Sequence, residues 1–169
     1  VKTSSFRVAG DRFDTTIIDY VRQKHNLLIG ERTAEEIKKK IGAVMDLEEE
    51  ECIEISGRNA LNGLPRDIKI CSSEIVEALG DLVQQIIEEV KVILEKTPPE
   101  LSSDIKRKGL YITGGGALLR GIDKKISENL NLNVTVSEDP LNSVINGIQV
   151  LLKNFDVYKK VLISPESDY

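Results

Sequence analysis

The stretch Leu110-Tyr111-Ile112-Thr113-Gly114-Gly115-Gly116-Ala117-Leu118-Leu119-Arg120-Gly121 constrains the fold of this chain more than any other. It reads as a short buried strand, a run of glycines and the opening of a helix. Glycine loses more backbone freedom on folding than any other residue. Consecutive glycines are therefore costly unless the backbone must turn sharply or approach another group closely. The first turn of a helix leaves N–H groups unpaired and carries partial positive charge. A strand–glycine–helix junction suits a phosphate or the sugar side of a nucleotide. It suits equally a tight turn with nothing bound. No Gly-Lys-Ser/Thr follows, which excludes a P-loop, and Leu119 occupies the third glycine position of a dinucleotide fingerprint.

The flanking pattern is mixed. Phe6 and Val8 alternate with Ser5 and Arg7, which predicts a half-buried strand broken at Ala9-Gly10-Asp11. A helix is expected from about Arg12 to Lys24, with Phe13, Ile17, Tyr20 and Val21 on one face, then a hydrophobic loop from Asn26 to Gly30. Thr33 to Glu36 matches a capping box, for a helix ending near a left-handed Gly42. Asp46 to Glu51 reads as a solvated acidic loop. Cys52–Ser56 and Leu64–Ile70 read as strands joined by a long polar Gly57–Gly63 loop. From Glu74 to Glu95, apolar residues from Ile75 to Leu94 recur at i, i+3, i+4, which predicts a core helix. Thr97 as N-cap with Pro98 at the first helical position starts a short helix that stops at Gly109. Beyond the glycines come a helix at about Ala117–Asn129, a strand at Asn133–Val136, and helices at Leu141–Lys153 and Val157–Ile163.

This order indicates an α/β chain with an α+β insert. One lobe is expected from residues 1–10 and 74–163, an inserted helical and hairpin lobe from 11–73, and a frayed tail at 164–169. The α/β lobe has few strands, and the chain opens on Val1, not Met, with a strand already expected at Ser5–Val8, the pattern of a piece excised from a longer protein.

Composition narrows the function. A net charge of −5 argues against a general nucleic-acid binder, and with 4% aromatics and no tryptophan a base-stacking platform is not expected. No stretch reads as a signal peptide or membrane span. The expectation is a cytoplasmic protein whose cysteines, Cys52 and Cys71 on facing strands, stay reduced. His25, the only histidine, has no neighbouring metal-type residues and reads as structural. Glu138 and Asp139 read as a turn and helix cap.

Several motifs, in order from about residue 5 to about 160, resemble the MreB family of bacterial actin homologues, its close paralogue Mbl included. They are Arg7-Val8-Ala9-Gly10-Asp11-Arg12-Phe13-Asp14, Ile29-Gly30-Glu31-Arg32-Thr33-Ala34-Glu35, Gly63-Leu64-Pro65-Arg66, Glu95-Lys96-Thr97-Pro98-Pro99-Glu100-Leu101 and Thr113-Gly114-Gly115-Gly116-Ala117-Leu118-Leu119. The resemblance implies the second half of an actin-like ATPase fold, a partial RNase-H-like lobe with an inserted lobe that closes over the adenine. The family clasps Mg-ATP, but its phosphate loops, catalytic carboxylate and magnesium-orienting aspartates match nothing in this chain. The chain alone is therefore expected to hold no catalytic or metal-binding residue and to turn over no ATP.

The resemblance carries two nucleotide elements. Gly114, Gly115, Gly116, Ala117 and Leu118 match the loop that approaches the adenosine and α-phosphate. Glu35, Glu36, Ile37 and Lys38 match the helix segment beside the adenine and ribose, where Glu35 would accept from ribose hydroxyls and Lys38 would pack its stem on the base. Read without the family, Glu35 and Lys38 are a solvated i,i+3 pair. The implied function is rod-shape determination by filaments that organise wall synthesis, cytoplasmic and peripheral to the cell membrane. The implied partners are further copies of the chain, cell-shape and wall-synthesis proteins, and the inner membrane face through the family's first half. The acidic outer face of the helix at 74–95 does not suit anionic lipid. The competing reading is a protein-docking module that binds no nucleotide.

Overall fold

The apolar stripe of the longest helix needs a partner along its length, and the neighbouring elements supply it. The computed structural model describes Ser5 and residues 10–159. The chain runs α1 (Gly10–His25), β1 (Leu27–Leu28), α2 (Glu31–Ile41), β2 (Cys52–Asn59), β3 (Pro65–Cys71), α3 (Ser72–Glu95), α4 (Pro99–Lys108) and β4 (Leu110–Ile112). A 3-10 turn (Gly115–Leu118), α5 (Ile122–Leu130), β5 (Val134–Val136), α6 (Ser143–Lys153) and α7 (Phe155–Tyr158) follow. Ile75, Leu79, Leu82, Val83 and Ile87 of α3 join Phe13, Ile17 and Val21 of α1 and Ile37 and Ile41 of α2 in one buried cluster. The strands form an antiparallel sheet in the order β1-β2-β3 and a parallel β4-β5 pair. A parallel pair needs a crossover, and α5 provides it.

Several boundaries differ from the sequence reading. The expected hydrophobic loop contains β1, whose Leu27 is fully buried and whose residues pair with Arg58 and Asn59. That pairing extends β2 through the predicted loop to Asn59. The turn that remains is held by Asn59 and Asn62 side chains accepting from the N–H groups of Leu61 and Leu64 at 2.8 and 3.1 Å. The capping box at Thr33 does not form. Gly30 is the N-cap of α2, and Glu36 accepts from Lys40 at 2.6 Å. Gly42 does end α2, but at φ −63°, so it is not left-handed. Thr97 donates to Ile93 O at 2.8 Å and finishes α3, so α4 opens two residues later on Pro99. Gly109 stops α4 as expected, at φ +80°. A single helix from Ala117 is replaced by the 3-10 turn and α5, because Gly121 is left-handed (φ +79°) and breaks the run. Asp139 serves its turn: its carboxylate accepts from the Asn142 N–H at 3.3 Å and its carbonyl from Ser143 Oγ at 2.6 Å.

The expectation of reduced thiols is overturned: Cys52 and Cys71 stand directly opposite in the β2–β3 register and are disulfide-bonded. The predicted strand at Ser5–Val8 lies, Ser5 apart, outside the described residues. So do residues 160–169, which include most of the last predicted helix and the tail.

Polar side chains clasp α1 to α3. His25 Nε2 lies 2.7 Å from Glu74 Oε1, a structural role. Tyr20 donates to Glu77 at 2.6 Å, and the Lys24 ammonium meets the same carboxylate at 2.6 Å. The Lys24 ammonium and the Tyr20 hydroxyl hold the Glu77 carboxyl below its ordinary range. A carboxylate lowered in the folded state stabilises the fold above its unfolded value and loses that contribution as pH falls through the folded one. Glu77→Gln is therefore expected to lower the melting temperature at neutral pH. The gap to the parent should shrink as pH falls below about 4.5, the ordinary carboxylate range. Melting curves from neutral to acid pH check this; a pH-independent gap would remove the carboxylate from the clasp.

Candidate functional site

The glycine run turns away from β4 at Gly114, which takes φ +86° and ψ 173°, a region essentially closed to residues with a Cβ. Two bonds to Pro140 O pin the loop to the turn before α6: Gly114 N–H at 2.8 Å and Thr113 Oγ1 at 2.9 Å. The N–H groups of Gly115 and Gly116 donate to no carbonyl of the described residues outside their own turn. A Cβ at Gly115 or Gly116 would meet only Leu141 Cδ2 at 3.6 Å or Phe13 Cε2 at 3.5 Å. Close packing against the described residues therefore does not explain these two glycines. Their bare backbone lines a cleft.

That cleft has a volume of about 450 Å³, within the range of small-molecule sites. Gly115, Gly116, Leu118 and Leu119 form one wall and Glu35, Lys38 and Lys39 of α2 the other, with Gly10, Phe13 and Leu141 completing it. A second cavity of about 350 Å³ shares Gly10, Phe13, Gly115 and Gly116 and adds Gly114 and Ala117. The loop and helix named by the sequence thus face each other across one space.

The charges are distributed differently from the expectation. Lys38 does not pair with Glu35. Its ammonium lies 2.8 Å from Asp14 Oδ2 and donates to Gly10 O at 3.3 Å, with 17% of the Lys38 side chain and 14% of the Asp14 side chain exposed. Asp14 Oδ1 is buried with no hydrogen-bond partner among the described residues. Glu35 pairs with Lys39 at 2.7 Å and stays half exposed, the Lys39 ammonium lowering its pKa. Glu36 turns toward Lys40, whose ammonium lowers its pKa too, and lines a shallow surface hollow with Arg32. Ile37 is fully buried in the core, so its side chain fixes α2 in place and does not line the cleft.

Sequence reasoning missed Phe13, Asp14, Lys39 and Leu141 as parts of this site. Gly10 to Asp14 stood in a recognised motif, but the pattern placed Phe13 on the apolar face of a helix and gave Asp14 no role of its own. Leu141 gave no signal, since only the fold brings the turn before α6 to the glycine loop.

No described helix is long and apolar enough to cross a membrane. A sequence model described as MreB/Mbl protein matches residues 1–160. Cell shape-determining protein Mbl of Bacillus cereus is 47% identical over 156 residues, covering 92% of this chain and 47% of the relative. Cell shape-determining protein MreB of Escherichia coli is 46% identical over 166 residues, covering 98% and 48%. The chain therefore spans about half the length of the curated relatives it matches. Among solved structures, MreB5 of Spiroplasma citri bound to ADP superposes with a TM-score of 0.87 at 39% identity, covering 92% of this chain and 47% of that one. The MamK double helical filament, at 23% identity and a TM-score of 0.67, shares the fold.

Proposed function

We propose, from the premise that this chain belongs to the MreB/Mbl protein family, that it is the nucleotide-binding half of a bacterial actin-like cytoskeletal ATPase. The intact protein would form filaments at the cytoplasmic face of the cell membrane and determine rod shape by organising wall synthesis. The observation that carries this reading is the single cleft of about 450 Å³ with glycine backbone on one wall and Glu35 and Lys38 on the other. The relatives' names as cell shape-determining proteins and the ADP bound to the similar Spiroplasma protein support it.

The residues fit a nucleoside phosphate. Gly115 and Gly116 offer N–H groups that donate to no carbonyl of the described residues outside their own turn, and no side chain to obstruct a phosphate or ribose. Glu35 is an ionised, half-exposed carboxylate that can accept from ribose hydroxyls. The Lys38 stem lines the cleft while Asp14 holds its ammonium, leaving the methylenes to pack on a base. Bound ATP would supply the phosphoanhydride that the intact protein hydrolyses. On this reading the chain binds and orients the nucleoside, and the groups that would hold magnesium and position the attacking water belong to the other half of the protein.

Titration calorimetry of the full chain with ADP tests this. Gly115 does not have positive φ and a Cβ there meets nothing closer than 3.6 Å, so Gly115→Val keeps the backbone while filling the cleft. Saturable binding to the parent, weakened at least tenfold in Gly115→Val, is expected. Equal binding by both, or none by either, would sink the reading. The second outcome favours a docking module, for which the exposed Val144, Ile145 and Leu152 of α6 supply an apolar surface.

A further inference from the structure

Cys52 opens β2 and Cys71 closes β3, so their bridge sits at the base of the hairpin, where the sheet hands the chain to α3. The two Cα atoms are 4.0 Å apart and both residues are half-buried, within reach of a small solute. Cys71 is also the N-cap of α3. Its sulfur faces the Glu74 N–H, and its own N–H donates to Glu74 Oε2 at 3.1 Å. A helix N-terminus favours negative charge beside it, and the thiolate is the form that attacks a disulfide. The two sulfurs therefore combine proximity and access.

We propose that Cys52 and Cys71 form a reversible thiol–disulfide pair that locks the base of the hairpin to the start of α3. The neighbouring contacts show what the lock holds. Ser72 N–H donates to Glu51 O at 2.8 Å, Glu51 N–H to Ser72 Oγ at 3.3 Å, and Ser73 Oγ to Glu50 Oε1 at 2.5 Å. Glu51 in turn meets Arg120 Nη1 at 2.6 Å, and Arg120 directly follows Leu119 of the cleft wall. Closing the bridge fixes Glu51 and with it the strut from the hairpin to the end of the glycine loop.

The chemistry balances as thiol–disulfide exchange with a low-molecular-weight disulfide. One cysteine thiolate attacks that disulfide and releases its first thiolate. The second cysteine attacks the mixed disulfide, forms the Cys52–Cys71 bond and releases the second. Two electrons pass to the small disulfide, and the two cysteine protons end on the leaving thiols. Excess small thiol reverses both steps.

The full chain equilibrated in glutathione buffers of set ratio, quenched with an alkylating reagent and weighed by mass spectrometry, tests this without reference to any nucleotide. In oxidised glutathione both alkylation sites should vanish with a Cys52–Cys71 cross-linked peptide, and excess reduced glutathione should restore both. Amide exchange near residues 51–52, 71–74 and 119–121 should slow about tenfold on oxidation. Cys52→Ala and Cys71→Ala should each show no such change, and either variant alone suffices as control. Thiols that alkylate at every ratio would overturn the proposal. So would bridges only between chains, a bridge that native conditions never reopen, or a bridge that leaves exchange unchanged.

Discussion

Replacing Gly42 by alanine is expected to destabilise the fold by roughly 3 kcal/mol, the upper end for overpacking a buried site. The Cβ would stand 2.1 Å from the Lys38 carbonyl oxygen and 3.0 Å from Leu119 Cδ2. The first of these is backbone and cannot rotate away. It also accepts the Gly42 N–H at 3.0 Å, so separating the two breaks the last bond of α2. On the other side, Gly42 O accepts the Arg120 N–H at 3.2 Å, the strut at the end of the glycine loop. A shift at Gly42 therefore moves one cleft wall against the other. ADP affinity should fall with stability. Urea unfolding measures the first effect, with Gly80→Ala as reference. Gly80 is exposed within α3, and its added Cβ meets nothing within 4 Å. That change should stabilise by about 0.5–1 kcal/mol through helix propensity. A Gly42→Ala loss under about 1 kcal/mol would mean that the junction relaxes and that no close approach requires the glycine.

The requirement at Gly42 shows what a sequence pattern conveys and what it does not. A glycine after an apolar period marked the end of α2, and the end is there. The reason is close approach to Lys38 O and Leu119, which depends on a loop far along the chain. Period explains the legible parts. The stripe from Ile75 to Ile87 marked α3, and Gly109 marked the stop of α4, where it takes φ +80° and a Cβ would lie 2.4 Å from Asn133 O. Two-residue β1 has no period to display, and only its pairing with Arg58 and Asn59 makes it a strand. Thr33 and Thr97 both carried N-cap signals. A local signal cannot tell whether a hydroxyl will serve the helix before it or the one after, and Thr97 serves the earlier one.

The site divides in the same way. The glycine run at 114–116 was visible from residue order alone, and family likeness added Glu35 and Lys38. Their partners were hidden because both obvious i,i+3 and capping choices lost to other geometry. Lys39 and Lys40, one turn on, captured Glu35 and Glu36. Asp14, on a different helix, captured Lys38. The cysteines were placed on facing strands, but the sequence could not supply the register that sets Cys52 opposite Cys71.

Lys38→Met should cost about 3 kcal/mol while Asp14 is intact, the low end of the loss when one partner of a buried ion pair is removed. The low end applies because the side chains keep 17% and 14% exposure. The mutation would leave the Asp14 carboxylate with neither oxygen bonded, since Oδ1 already lacks a partner among the described residues. Asp14→Leu with Lys38→Met should recover most of the loss, because two apolar groups of similar volume need no pairing. The double-mutant cycle should therefore give a coupling of about 2 kcal/mol. Additivity within about 0.5 kcal/mol would show that the pair is not a unit. The same variants separate stability from binding. The double variant keeps a filled α1–α2 contact and nearly the same stem at position 38, so ADP affinity should stay within about threefold of the parent if Lys38 acts by packing. A loss beyond tenfold in the stable double variant would instead assign the ammonium itself to the nucleotide, with Asp14 as the group that aims it.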